Sequence, residues 1–202
     1  MNKETRRKLV LFDFDGTLTA KDTLFELIKY VHGKRVFYVG LCRHMPSLLL
    51  YLLKIMSAQK AKERILTYFF KGFSIVAFEE TCRQFALKRV PHLLRPDALR
   101  TLEQWQIQDA DVIVVTASAE NWVRPWCEIR HIGCIATRLE VSGGRLTGKI
   151  IGRNCNGEEK VARIRMAVDL TCREEIIAYG NGKGDLPMLD LANQAYYRIF
   201  KC

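Results

Sequence analysis

The 202-residue sequence predicts a doubly wound α/β fold, an open parallel sheet covered by helices, with a helical cap inserted into it. Two observations predict it. Short apolar, β-branched runs alternate with helical patterns over most of the chain, and such runs read as buried parallel strands. Between the first and second runs, Ala20 to Val90 looks helical throughout, far more chain than a crossover helix needs.

Lys8–Phe12 (KLVLF) is the first strand, and Gly16 lets the chain leave it sharply. The cap follows. Its stretch Val36–Met56 is apolar enough to suggest a membrane span, but Arg43, His44 and Pro46 interrupt it, and Met45–Leu53 beyond them is too short to cross a bilayer. Two helices meeting at Pro46 are expected instead. The cap ends near Pro91 and Pro96, where Pro96 suits the first turn of a helix running to Gln108. Asp111–Thr116 is the second strand, residues 119–132 a helix, and Gly133–Thr137 the third strand. A helix over 158–170, a strand over Glu175–Gly180 and a last strand within 195–200 complete the pattern. The expected division is a core of residues 1–19 and 91–202 and a cap of residues 20–90.

Seven cysteines without C-x-x-C pairs argue for reduced thiols, and the apolar run Leu9–Phe12 is too short for a signal-peptide core. A cytoplasmic protein is the expectation. The net charge of +10 is uneven: residues 36–100 carry seven more basic than acidic residues, whereas residues 101–202 are balanced. A basic surface attracts nucleic acid, anionic membrane or anionic small molecules, and charge alone does not choose among them. No nucleic-acid-binding motif accompanies the charge, so nucleic acid is the least favoured partner.

The chemistry begins at LVLFDFDGTLT. Two residues apart in extended chain, Asp13 and Asp15 face the same side, and such a pair needs a cation or a shared proton. Far along the chain, YGNGKGD (Tyr179–Asp185) forms a glycine-rich turn between a strand and a helix. Its glycines and Lys183 would suit an anion, but no Ser or Thr follows the lysine and Asp185 would repel phosphate. The loop read alone leaves cation and anion open.

Asp13–Thr17 (DFDGT) resembles the first motif of the haloacid dehalogenase superfamily, D-x-D-G-T. Later motifs follow in order: VIVVTAS ends a strand at Thr116, GEEKVARI carries Lys160, and YGNGKGD is similar to the fourth, metal-binding loop. The resemblance spans residues 8–192 and implies a Rossmann-like core. It is closest to the phosphoserine phosphatase-like branch, whose cap lies between the first two motifs and whose β-hairpin resembles TRLEVSGGRLTGKI, with Gly143 and Gly144 at the turn. The apolar cap and basic balance are similar to those of bacterial phosphatidylglycerophosphate phosphatases of the C type.

The resemblance implies a Mg²⁺-dependent phosphomonoester hydrolase. Asp13 would be the nucleophile and Asp15 the acid and base; Thr116, Ala117 and Lys160 would hold phosphoryl oxygens. Asp13, the Asp15 carbonyl, Asn181 and Asp185 would hold Mg²⁺, with Asn181 standing where the family carries an aspartate. Asp22 stands where a phosphoserine phosphatase binds its substrate's amino group, although a helix N-cap explains it better. Arg124, between Trp122 and Trp126, could reach an anionic substrate or simply pack on its helix.

The expected substrate is an amphiphilic or lipid phosphate, with peripheral contact at the inner face of a membrane through Arg43 and Lys54 beside the apolar cap stretch. A soluble phosphoserine phosphatase is the alternative enzyme. A phosphate-binding regulatory protein weakened by Asn181 is the alternative of another class.

Overall fold

The computed structural model describes residues 7–53 and 55–200; Lys54, expected at a wet edge of the cap, lies outside the described residues. Five parallel strands form the sheet: β1 (Leu9–Phe12), β2 (Asp111–Ala119), β3 (Gly133–Thr137), β6 (Ile176–Gly180) and β7 (Gln194–Tyr197), in the order β3-β2-β1-β6-β7. Strands β4 (Leu139–Ser142) and β5 (Arg145–Ile150) make a separate antiparallel hairpin whose turn residues Gly143 and Gly144 both have positive φ. The chain departs from β1 toward β2 and β3 on one side and returns to β6 and β7 on the other. Order reverses at β1, and ligands of open α/β sheets bind at the carboxyl end of such a switch point.

Alternation along β1 divides the core. Val10 and Phe12 join the cluster shared with the helices between β1 and β2, whereas Leu9 and Leu11 face Ile164 and Met188 on the other side. All four β1 residues are fully buried, as a central parallel strand requires.

The first three helices after β1 are α1 (Thr23–Leu52), α2 (Ala58–Phe70) and α3 (Ile75–Lys88). Asp22 Oδ1 accepts from the Phe25 amide at 3.1 Å, the N-cap expected of it. Ser57 caps α2 in the same way, accepting from the Lys60 amide. The expected junction at Pro46 is corrected: Pro46 lies inside α1, and the break falls at Gly33 (φ 80°, ψ 161°). A positive φ costs glycine little, so the helix axis changes there.

Helix α4 (Pro96–Ile107) begins at its proline as expected, and α6 (Glu158–Ala167) stops three residues short of its expected end, where Val168 turns extended. Helix α5 (Glu120–Glu128) is four residues shorter at its C-terminus than its apolar pattern suggests; His131 adopts a left-handed φ of 54° and ends the coil. A short helix, α7 (Leu186–Asp190), precedes β7. Among the described residues no helix is long and apolar enough to cross a membrane.

Candidate active site

Asp13 follows the last residue of β1, its amide donating to Tyr179 O of β6 at 2.9 Å. Asp15 is in the turn beyond the strand, where Gly16 takes φ 81°. Asp15 is near enough for its charge to oppose the ionisation of Asp13, but different groups hold the two carboxylates. Asp13 Oδ1 accepts from Lys160 Nζ at 2.6 Å, and its Oδ2 from Thr17 Oγ1 at 3.3 Å. Asp15 Oδ1 accepts from the Thr23 amide at 2.7 Å, and its Oδ2 from Ser118 Oγ.

Lys160 is the hub. It rises from the first turn of α6 and is 1% exposed, with Nζ 2.7 Å from Asp185 Oδ1 and 2.7 Å from Val115 O as well as on Asp13. Burial opposes its charge, but Asp13 and Asp185 outweigh that, so its pKa lies above the ordinary lysine value. Asp185 Oδ2 in turn accepts from the amides of Asn181 (2.9 Å) and Gly182 (2.8 Å), which closes the glycine-rich loop on its own acid.

Thr116 is buried at the bulged end of β2, its Oγ1 accepting from the Ser118 amide at 3.0 Å. The Ala117 carbonyl accepts from Lys62 Nζ at 2.7 Å and lies 2.7 Å from Thr137 Oγ1. Asn181 presses its amide against Gly16: a Cβ on Gly16 would come within 2.0 Å of Asn181 Nδ2. Asp13, Asp15, Thr116, Ala117, Lys160, Asn181 and Asp185 are thus brought to one end of the sheet. Asp22 stands near enough for its charge to act on Asp15. Arg124 is not brought in. It pairs with Glu120 on α5 at 2.6 Å and lines a separate cavity with Arg138 and Arg163.

Two site residues carried no expectation. Ser118 binds Asp15 and lies 3.3 Å from Thr23 Oγ1, which accepts from the buried Trp122 indole at 3.1 Å. Two residues past Thr116 on the same strand, it is placed by the alternation that marks Thr116. Lys62 comes from α2. Burial lowers its pKa, while Asp22, Asp15 and Asp13 work in the opposite direction.

Burial chiefly, and then the charges of Asp185 and Asp15, push Asp13 up to about 6 against the pull of Lys160. Burial, with Asp22, pushes Asp15 up to about 6, opposed by its bonds from Ser118 and Thr23.

Such a site suits a divalent cation. Asp13 and Asp185 share Lys160, and Asp15 acts on the half-buried Lys62, so three carboxylates stand against two lysines and leave excess negative charge, to which the Asn181 amide beside Gly16 adds a neutral oxygen. Among the described residues no three His, Cys, Asp or Glu side chains form a metal cluster. A hard divalent cation that needs only one or two carboxylates and keeps water among its ligands fits such a set.

The family profile of haloacid dehalogenase-like hydrolases matches residues 10–190, from β1 through α7. The chain belongs to that family. The CicA protein of Caulobacter vibrioides is 38% identical over 197 residues, covering 96% of this chain and 86% of CicA. This haloacid dehalogenase-like hydrolase also shares its fold with a Bordetella pertussis Tohama I protein of unknown function (TM-score 0.80, 22% identity, 95% of this chain and 89% of the other). A phosphoserine phosphatase in its apo form has the same fold (TM-score 0.61, 21% identity, 95% and 86% coverage).

Proposed function

We propose that this phosphatase of the haloacid dehalogenase-like family hydrolyses a phosphomonoester through an aspartyl phosphate on Asp13, with Mg²⁺ as cofactor. The observation that carries the reading is the buried Lys160 bridging Asp13 and Asp185 beneath the exit of β1. We further propose that residues 20–90 act as a cap over a core of residues 1–19 and 91–202.

An Asp13 carboxylate oxygen attacks phosphorus, and the bond to the ester oxygen breaks. Protonated Asp15 gives its proton to the departing oxygen. Water then attacks the phosphorus, Asp15 takes a proton from it, and the bond to Asp13 breaks, restoring both groups. Thr116, the Ala117 amide and Lys160 hold phosphoryl oxygens, and Lys62 brings a second cation from the cap. Asp13, the Asp15 carbonyl, Asn181 and Asp185 would hold Mg²⁺, which would supply charge neutralisation to the phosphoryl group.

Asn181 makes the metal bind more weakly without removing the site, because a neutral oxygen replaces a charged one. Asn181→Asp lowers the Mg²⁺ concentration for half-maximal activity and, in chelator, lowers Tm through repulsion with Asp185. An unchanged Mg²⁺ requirement means that position 181 does not touch the metal.

The pH profile follows from two carboxyl groups near 6 with opposite required states. Asp13 must be ionised, so kcat/KM falls on acidification below its pKa; Asp15 must be protonated, so kcat/KM falls as pH rises above its own. With an alkyl phosphate the parent shows both falls; with p-nitrophenyl phosphate, whose leaving group needs no proton, the alkaline fall is lost and the acid one remains. An alkaline fall that persists with p-nitrophenyl phosphate assigns it to a group other than the acid.

For the leaving group we favour an amphiphile. The exposed apolar side chains of α1, Val39 and Leu49 among them, give an acyl chain a surface that a small polar substrate does not need. Phosphoserine is the second reading, favoured by Asp22 and Lys62, an acid and a cation beside Asp15 that suit an amino acid's two charged groups. Comparing kcat/KM for phosphatidylglycerophosphate in mixed micelles, phosphoserine and a sugar phosphate decides between them. The lipid phosphate is expected to lead, and preference for phosphoserine overturns the amphiphile.

A further inference from the structure

Beyond Gly33, α1 turns an almost wholly apolar face outward. Tyr38, Val39, Met45, Leu49 and Leu53 are 57%, 65%, 56%, 56% and 60% exposed, and Cys42 and Pro46 between them are exposed too. At 3.6 residues per turn these positions fall within about 120° of arc and run about 22 Å along the helix. The opposite face is spent on packing: Phe37 and Ser47 are buried, and Gly40 approaches Phe69 so closely that a Cβ would come within 2.3 Å of its ring. The strip therefore lies outside both the core and the carboxylate–lysine cluster at the end of the sheet.

A second feature adjoins it. Tyr38 also lines a cavity of about 330 Å³ walled by Lys21, Lys29, Lys34 and Arg89, with Glu26 as the lone acid. Glu26 is taken by Lys29, and among the described residues Lys21, Lys34 and Arg89 form no salt bridge. Arg35 and Arg43, likewise without a salt bridge among the described residues, stand exposed at one end and along one edge of the strip. Unpaired cations gathered around a concavity favour an anionic ligand, and an apolar strip continuing from it favours a ligand with hydrocarbon.

We propose that this face of α1 is a docking surface for an anionic phospholipid bilayer, the strip lying in the interface and the lysine–arginine cavity receiving lipid phosphate. A second copy of the chain is disfavoured by charge, since a two-fold contact centred on the strip would bring Arg43, near its middle, close to Arg43 of the other copy, and residues 34–53 contain no acid to offset the basic groups. An in-plane helix with basic groups beside an apolar face meets both demands of a bilayer surface, and no span is required. The surface serves the amphiphile reading given above and would bring the cap to its substrate. Its test does not pass through turnover, so the two can fail separately.

The full chain is sedimented with phosphatidylcholine vesicles, with and without phosphatidylglycerol, in rising salt. The expected result is binding to the phosphatidylglycerol vesicles only, weakening as salt rises, and reduced at least tenfold by Leu49→Glu and by Lys34→Glu/Arg89→Glu. Far-UV circular dichroism and thermal unfolding of both variants match the parent's, which shows that they are folded. No binding to either vesicle overturns the proposal, as does equal binding to both. So does sedimentation velocity showing a dimer that Leu49→Glu splits, because the strip then belongs to a second copy.

Discussion

Asp13→Asn abolishes turnover while leaving the protein at least as stable as its parent. The amide keeps the shape of the carboxylate but cannot form an acyl phosphate, and kcat falls by on the order of 10⁴-fold or more, as when other covalent nucleophiles are removed. Stability moves the other way. Burial and two neighbouring carboxylates make an ionised Asp13 costly, as its pKa near 6 records, and a neutral amide escapes that cost while Lys160 keeps Asp185. Turnover and thermal unfolding measured on one preparation check both halves. Near-parental activity defeats the nucleophile assignment, and a large fall in Tm would attribute the loss to folding instead.

Lys160→Met carries the second large effect, and here stability and activity fall together. Removing the ammonium strands two nearly buried carboxylates, Asp13 and Asp185, on opposite sides of the gap. Breaking one side of a buried ionic cluster costs about 3–5 kcal/mol. For a chain of this size that is a Tm lower by roughly 10 °C. The sign of its pH dependence is fixed. Without Lys160 the Asp13 pKa rises further, so acidification supplies a proton in place of the lost cation and the deficit shrinks toward pH 5. Denaturant titrations of parent and variant at pH 7 and pH 5 measure it; a deficit that grows on acidification would mean that the carboxylates are not what Lys160 compensates.

Much of this was legible in the sequence, and the residues show why. Strand β1 is buried on both faces, so it reads as an unbroken apolar run, and two aspartates after such a run have no structural reason to be there. Gly16 was readable because the turn after β1 uses its positive φ. Lys160 and Asp185 were legible only through the order of motifs; 25 residues apart, they share one hydrogen bond that no local pattern encodes. Ser118 could have been found by stepping two residues from Thr116 along β2. Lys62 could not, since it sits among Lys60 and Arg64 on α2 and only the packing of that helix on α1 and β5 turns it toward Ala117. Pro46 is the stronger helix breaker in the sequence, yet the chain turns at Gly33, which can adopt the left-handed φ.

The covalent intermediate on Asp13 is the centre of the account, and borohydride tests it most directly. Borohydride reduces an acyl phosphate to the alcohol and spares a free carboxylate, so quenching the enzyme during turnover and sequencing its peptides by mass spectrometry locates the phosphorylated residue. The account predicts homoserine at position 13, dependent on substrate and absent from Asp13→Asn. Reduction at another carboxylate, or phosphate release with position 13 always recovered as aspartate, would contradict it.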